Sequence, residues 1–207
     1  MPHLSIGDTI APRVLTTIRS EAVALPDPER LVHLQFRRYA GCPICNLHLR
    51  SVARRHDEIR AAGIREVAIF HSPAEDMLTH QGDLPFAAIA DPERLLYAEF
   101  GVEASRRAVT HPRAWSAPLN PRVYGVVLHG LRNGGSPGPR HGETVLGLPA
   151  DFLIDPAGRV VALRYGRHAN DQWSVDELIE LAVTHRDLTW RFSVLGSDGQ
   201  ALRPASR

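Results

Sequence analysis

Lysine is absent from the 207-residue chain, and all 24 basic side chains are arginine. A lysine Schiff base and a phosphate-binding loop with its lysine are therefore excluded. Every cation is instead a planar, permanently charged guanidinium. Cysteine is almost absent too, limited to Cys42 and Cys45, which excludes a disulfide framework and any four-cysteine metal site. No run approaches the ~18 apolar residues needed to span a bilayer. The longest, such as Val67, Ala68, Ile69 and Phe70, have only strand length. Neither sign of charge dominates, since the formal net charge is +1, and that leaves no strong electrostatic case for nucleic acid or an anionic membrane as partner. What is present is a chain 43% hydrophobic and 23% charged, enough to bury a core. The first residues show no basic stretch followed by an apolar core, so a cytoplasmic location is expected. In a reducing compartment a close cysteine pair reads as catalytic, redox-sensing or metal-binding rather than structural.

Strand and helix patterns alternate along the chain. Residues 31–36 (LVHLQF) form a short strand candidate that runs through Arg37, Arg38, Tyr39, Ala40 and Gly41 into Cys42-Pro43-Ile44-Cys45. From Pro43 the apolar spacing becomes helical through Leu49, Val52, Ala53, His56 and Ile59, with Gly63 closing the segment. Residues 66–70 and 84–89 read as strands, separated by a short helix from Ala74. Asp91 and Pro92 open a further helix that reaches Phe100. Residues 150–154 and 159–165 are strands around the turn Asp155-Pro156-Ala157-Gly158. Ser174 and Glu177 form a capping box on a helix to residue 183. Such alternation predicts a layered α/β sheet.

Residues 102–147 break the pattern with Pro112, Pro118, Pro121, an apolar piece at 123–128 and a Gly/Pro-rich loop at 133–139. They read as an insertion or lid before the penultimate core strand. The domain is expected to span 1–184, followed by a C-terminal extension, 185–207, with one strand candidate at 189–195. Val126, Val127 and Leu128 suit either a homodimer contact or burial inside the insertion.

Cys42 is expected at a helix N-terminus, where unpaired backbone N–H groups and the helix dipole favour a thiolate. Cys45 lies one turn along on the same face, placed to attack an oxidised Cys42 and close a disulfide. Arg37 and Arg38 would add positive potential if either points toward the pair. Tyr39 and Gly41 would line the entrance to Cys42, or serve only the sterics of the turn. Two alternatives stay open. The thiols could be half of a metal site, with His48 and His33 as the nearest further ligands, or small buried hydrophobes. His71 and Ser72 end a strand on the edge where α/β sheets place ligand groups, with His71 read as a satisfied loop histidine.

At these residues the sequence resembles the peroxiredoxin-like branch of the alkyl hydroperoxide reductase/thiol-specific antioxidant family, within the thioredoxin-fold superfamily. The likeness covers about residues 6–183. It rests on Gly7-Asp8-Thr9-Ile10-Ala11-Pro12, Gly41-Cys42-Pro43-Ile44-Cys45, Leu84-Pro85-Phe86, Asp91-Pro92, Phe100-Gly101-Val102, Phe152-Leu153-Ile154-Asp155 and Gly158-Arg159-Val160. The resemblance implies a thioredoxin-like fold, a central mixed sheet flanked by helices, and no cofactor beyond the thiols. It implies that Cys42 attacks a hydroperoxide, Cys45 resolves the product, and a thioredoxin-like or small-thiol donor restores the dithiol. The family usually has a Thr or Ser three residues before the reactive cysteine and an Arg three before the Phe of the Phe-x-Ile-Asp strand. Here those positions hold Tyr39 and Pro149. A proline there looks like the cis-proline that faces the cysteine pair in disulfide reductases, so disulfide exchange stands beside peroxide reduction. Arg140 and His141 could supply the missing cation by folding over the site.

Overall fold

The computed structural model describes residues 3–102, 110, 121–132, 134, 138–139 and 143–197. Two short strands, β1 (Arg13–Thr16) and β2 (Ala22–Leu25), form an antiparallel hairpin. They precede the central strand β3 (Leu31–Phe36), all six residues of which are buried. Helix α1 (Pro43–Arg54) follows, then α2 (His56–Ala61), β4 (Ile64–Phe70), α3 (Ala74–Gln81), β5 (Ala87–Ala90) and α4 (Leu95–Glu99). After α5 (Arg122–Arg132) come β6 (Ala150–Ile154), β7 (Val160–Tyr165) and α6 (Val175–Ser197).

The main sheet has the order β5-β4-β3-β6-β7. β3, β4 and β5 are mutually parallel, whereas β6 is antiparallel to both β3 and β7. The chain thus has the thioredoxin-like α/β fold with a central mixed sheet. β3 divides its side chains by the two-residue period. Val32, Leu34 and Phe36 join the core under the hairpin and α4, whereas Leu31 joins the core under α1, α2, α3 and α6. The former core is pinned by aromatic edges. Phe36 meets Tyr97, Phe100 and Phe152 at centroid distances of 5.0, 5.2 and 5.7 Å. Each such pair contributes about 0.5–1.5 kcal/mol beyond its buried area, so the strand end that leads to Cys42 is held firmly.

Local signals set several boundaries. Gly63 has φ +76 just past α2, as a helix-terminating glycine requires. Asp91 accepts from the backbone N–H groups of Leu95, Leu96 and Tyr97, although α4 starts later than expected from Pro92. Ser174 and Glu177 exchange the two hydrogen bonds of a capping box.

Other expectations change. The helix from Pro43 is broken at Arg55, whose φ −111 and ψ 19 are not helical. The hairpin β1–β2 and helix α5 are not anticipated by the sequence patterns. The 123–128 piece lies inside α5, beside α1, and Leu128 there is half-exposed rather than buried. The strand expected at 189–195 is instead the continuation of α6, because no helix breaker intervenes after Ser174 and an existing helix propagates cheaply. Arg140 and His141 lie outside the described residues, as does much of 102–147. Among the described residues no helix is long and apolar enough to cross a membrane.

Candidate active site

The turn between β3 and α1 is built from buried polar anchors. Ser72 Oγ accepts the Ala40 N–H at 2.8 Å. The Ala40 carbonyl accepts from Asn46 Nδ2 at 2.8 Å and from Gln81 Nε2 at 3.0 Å, and Gln81 Nε2 also reaches Asn46 Oδ1 at 2.6 Å. Cys42 then caps α1. Its backbone is extended (φ −65, ψ 112), Pro43 stands in the first turn, and its sulfur accepts the Cys45 N–H at 3.4 Å. Gly41 is buried in this turn and is not among the glycines with positive φ. The sequence pointed to Ser72 but not to Asn46 or Gln81, whose role depends on contacts far apart in the chain.

Cys42 and Cys45 are both free thiols without exposed surface, and their side chains are hydrogen-bonded to each other. Arg38 meets the sequence condition of pointing at the pair. Its Nη2 donates to Cys42 Sγ at 3.0 Å and its Nη1 to the Val145 carbonyl at 2.8 Å. Its Nε–H is buried and has no partner among the described residues. The guanidinium also sits 5.7 Å from the Tyr39 ring centroid, within cation–π range. Tyr39 is buried, and burial first, then the neighbouring Cys42, push its phenol well above the ordinary range.

The two thiols titrate as one unit. Burial raises both, but Cys45 is pulled down to about 6 by its hydrogen bond with Cys42 and by the charge of Arg38. Burial, then the hydrogen bond and charge of Cys45, hold Cys42 well above the ordinary thiol value. The pair therefore carries one negative charge near neutrality and retains its second proton. The direct contacts of Arg38 and the α1 N-terminus on Cys42 Sγ favour that sulfur as the seat of the charge, even though Cys45 shows the lowered value.

Arg37 faces elsewhere. It is fully buried and joins a polar cluster on the α1 side of the sheet. Its Nη2 donates to Asp151 Oδ1 and to Gln35 Oε1, each at 2.7 Å, and to His48 Nε2 at 3.2 Å. His33 bridges Glu66 Oε2 at 2.8 Å and Asp151 Oδ1 at 3.2 Å, and Gln35 donates to Glu66. Burial opposes the charge on Asp151, but Arg37 and His33 hold its carboxyl far below the usual range. Burial, then the charge of Arg37, push His48 well below its ordinary value. The two histidines named as metal-ligand candidates are thus engaged in this cluster, and among the described residues no group of three or more His, Cys, Asp or Glu is arranged to hold a metal ion.

Pro149 precedes β6, whose Ala150 is in register with Phe36, so it stands at the β3 end of the sheet. The cis expectation for Leu148–Pro149 is not met. Among the described residues the cis peptide is Leu25–Pro26. Pro149 packs on Gly166, whose N–H donates to its carbonyl at 2.8 Å. His71 also departs from expectation: it is 3% exposed, and neither ring nitrogen has a partner among the described residues.

Comparison with known proteins bears on the family and the fold. The family described as AhpC/TSA antioxidant enzyme matches residues 51–168, more than half of the chain, beginning just after the cysteine pair. No curated protein matches the sequence. Among solved structures, peroxidoxin BcpB of Mycobacterium tuberculosis is similar at TM-score 0.61 and 16% identity, covering 88% of this chain and 98% of its own. A cysteine-to-serine mutant of PrxQ of Xylella fastidiosa is similar at TM-score 0.58 and 14% identity, covering 91% and 99%. A putative thiol:disulfide interchange protein DsbE of Chlorobium tepidum is similar at TM-score 0.54 and 18% identity, covering 86% and 98%. At these identities the likeness shows the fold.

Proposed function

The chain belongs to the AhpC/TSA antioxidant enzyme family, whose members are thiol-dependent peroxidases or thiol–disulfide oxidoreductases, and we propose that it reduces hydroperoxides, with Cys42 as the reacting thiol and Cys45 as its resolving partner. The observation that carries this reading is the 3.0 Å contact of Arg38 Nη2 with Cys42 Sγ, beside an Arg38 Nε–H that has no partner among the described residues. One guanidinium can then stabilise the thiolate and orient a peroxide oxygen, the two tasks that electrostatic preorganisation requires. Arg38 thereby fills the place left by Pro149.

In the first step the Cys42 thiolate attacks the distal peroxide oxygen and the O–O bond breaks. The sulfur is oxidised by two electrons to sulfenic acid, and the alkoxide or hydroxide leaves as it takes up a proton. Cys45 then attacks that sulfur as a thiolate, forming the Cys42–Cys45 disulfide and expelling hydroxide, which becomes water. A thioredoxin-like dithiol or two small thiols return the two electrons by exchange. Tyr39, Gly41 and Pro149 would border the substrate, with Arg37 giving longer-range support. The reading assigns 1–184 to the redox domain, 102–147 to an insertion and 185–207 to an extension.

Disulfide exchange without peroxide reduction is the second reading, favoured by the contact between the two thiols in a Cys-x-x-Cys turn. Stopped-flow oxidation of Cys42 by hydrogen peroxide and an alkyl hydroperoxide separates the two. Peroxide reduction predicts oxidation far faster than for a free thiol, and a sulfenic acid that persists in Cys45→Ser. Oxidation at the free-thiol rate, together with rapid reduction of disulfides by the wild type, selects exchange.

A further inference from the structure

The net charge of +1 conceals a segregation of charge along the chain. Between Glu103 and Glu143 the sequence holds six arginines and no acidic residue, so the remainder, with 18 arginines against 23 acidic residues, is net negative. Helix α5 lies within this basic stretch and carries Arg122, His129 and Arg132. One side of the helix is packed. α5 lies beside α1, Val123 is buried, and His129 Nε2 stands 3.6 Å from Asp83 Oδ2.

Another side is apolar and uncovered. Tyr124, Leu128 and Leu131 have the spacing of a single helix face, and they are 72%, 49% and 52% exposed. A Cβ at Gly125 would meet nothing within 4 Å. Arg132 is exposed next to Leu131. Single exposed apolar residues need no explanation. A row of three on one helix face, with arginine beside it and no acid on the helix, is the pattern of a helix that lies in a lipid–water interface. At 11 residues α5 is about 16 Å long, so it can lie on a bilayer but not cross one.

We propose that the Tyr124, Leu128 and Leu131 face of α5 docks on the surface of an anionic phospholipid bilayer, with the three side chains entering the headgroup region and Arg132 meeting lipid phosphates. The tyrosine suits that depth, because its ring is apolar and its hydroxyl stays wet. A second copy of the chain fits this face poorly, since pairing α5 with itself brings cations together with no acid to offset them. A stable protein partner would engage roughly 20–30 residues a side, whereas a bilayer conforms to a single row and gains from every added cation. Docking of this kind requires neither redox reading of the thiol pair.

Co-sedimentation of the reduced full-length protein with vesicles tests the face directly. Vesicles of phosphatidylcholine mixed with phosphatidylglycerol should bind the protein, vesicles of phosphatidylcholine alone should bind it far more weakly, and added salt should release it. Arg132→Gln should weaken binding about fivefold. Replacing both leucines, Leu128→Gln with Leu131→Gln, should weaken it by at least about tenfold. Both leucines are half-exposed, so the fold should survive; if circular dichroism shows otherwise, Arg132→Gln decides alone. No binding to the anionic vesicles overturns the proposal, as does binding that is indifferent to Arg132→Gln or to the paired leucine change. A dimer in sedimentation velocity that the leucine change dissolves, with no vesicle binding, assigns the face to a second copy instead.

Discussion

Arg38 spans two parts of the molecule, with Nη2 at 3.0 Å from Cys42 Sγ and Nη1 at 2.8 Å from the Val145 carbonyl oxygen. One cation thus ties the start of α1 to the segment that precedes β6. Removing a preorganised donor of this kind typically slows a reaction by about 10²–10³. Arg38→Gln is expected to slow Cys42 oxidation by hydrogen peroxide by that factor in stopped-flow assays. Arg38→Lys should recover only part of the loss, because a single ammonium cannot reproduce the two-ended fork. An Arg38→Gln protein that reacts at the wild-type rate would remove the arginine from the mechanism.

The charge on the thiol pair gives a second expectation. A free cysteine titrates near ~8.5, whereas Cys45 is pulled down to about 6 by Cys42 and Arg38 against the effect of burial. Thiolate ultraviolet absorbance of the reduced protein, which needs no reagent to reach buried sulfurs, should rise by one thiolate with a midpoint near 6. The second sulfur should stay protonated into the alkaline range. Arg38→Gln should shift the first midpoint upward. Two thiolates appearing together near the free-cysteine value would contradict the shared-proton pair.

Ser72 supports the same site from the end of β4. Its hydroxyl accepts the Ala40 N–H at 2.8 Å and donates to Glu143, so it links the Cys42 turn to the segment carrying Val145. Ser72→Ala leaves a buried N–H unpaired, at a cost of about 1–3 kcal/mol, and releases Glu143. Chemical denaturation should show that loss, and the Ala40 amide should exchange faster with solvent. Glu143→Gln keeps an acceptor for the hydroxyl and should leave the Ala40 amide protected. Equal exchange in wild type and Ser72→Ala would rule out the link.

The contrast between Cys42 and Arg38 shows what was legible in the sequence. Cys42, Pro43, Gly63, Asp91 and the Ser174–Glu177 pair act through neighbours within a few residues, and their signals sit in consecutive sequence. Arg38 is oriented by Val145, and His33 by Glu66 and Asp151, across separations of 107, 33 and 118 residues. Periodicity carries no record of such partners. Residues 31–36 therefore read as an apolar strand, although His33 and Gln35 give one of its faces a buried polar row that Arg37 continues. The 189–195 segment failed for another reason. Its aromatic and β-branched residues suit a strand only where a sheet edge receives them, because strand preference is a matter of surroundings.

That polar row yields the last expectation. His33 is fully buried, and although burial opposes its charge, Glu66 and Asp151 raise it from 6.5 to about 9. Histidine in an unfolded chain titrates near ~6.5. A group raised on folding contributes its full stabilisation below the unfolded value, and that contribution disappears as pH climbs through the folded value. The window is therefore about 6.5 to 9, and the difference corresponds to about 3 kcal/mol. The thiol pair works in the opposite direction, since a lowered value favours the fold at higher pH, so wild type alone would mix the two. Urea denaturation of the wild type and of His33→Gln at pH 6 and pH 9.5 separates them, because the thiol contribution is common to both proteins. His33→Gln should be less stable at pH 6, where it removes the cation shared by Glu66 and Asp151 and leaves them only Gln35 and Arg37 respectively among their side-chain partners, and the gap should narrow by about 3 kcal/mol by pH 9.5. A gap independent of pH would mean that His33 is neutral in the fold.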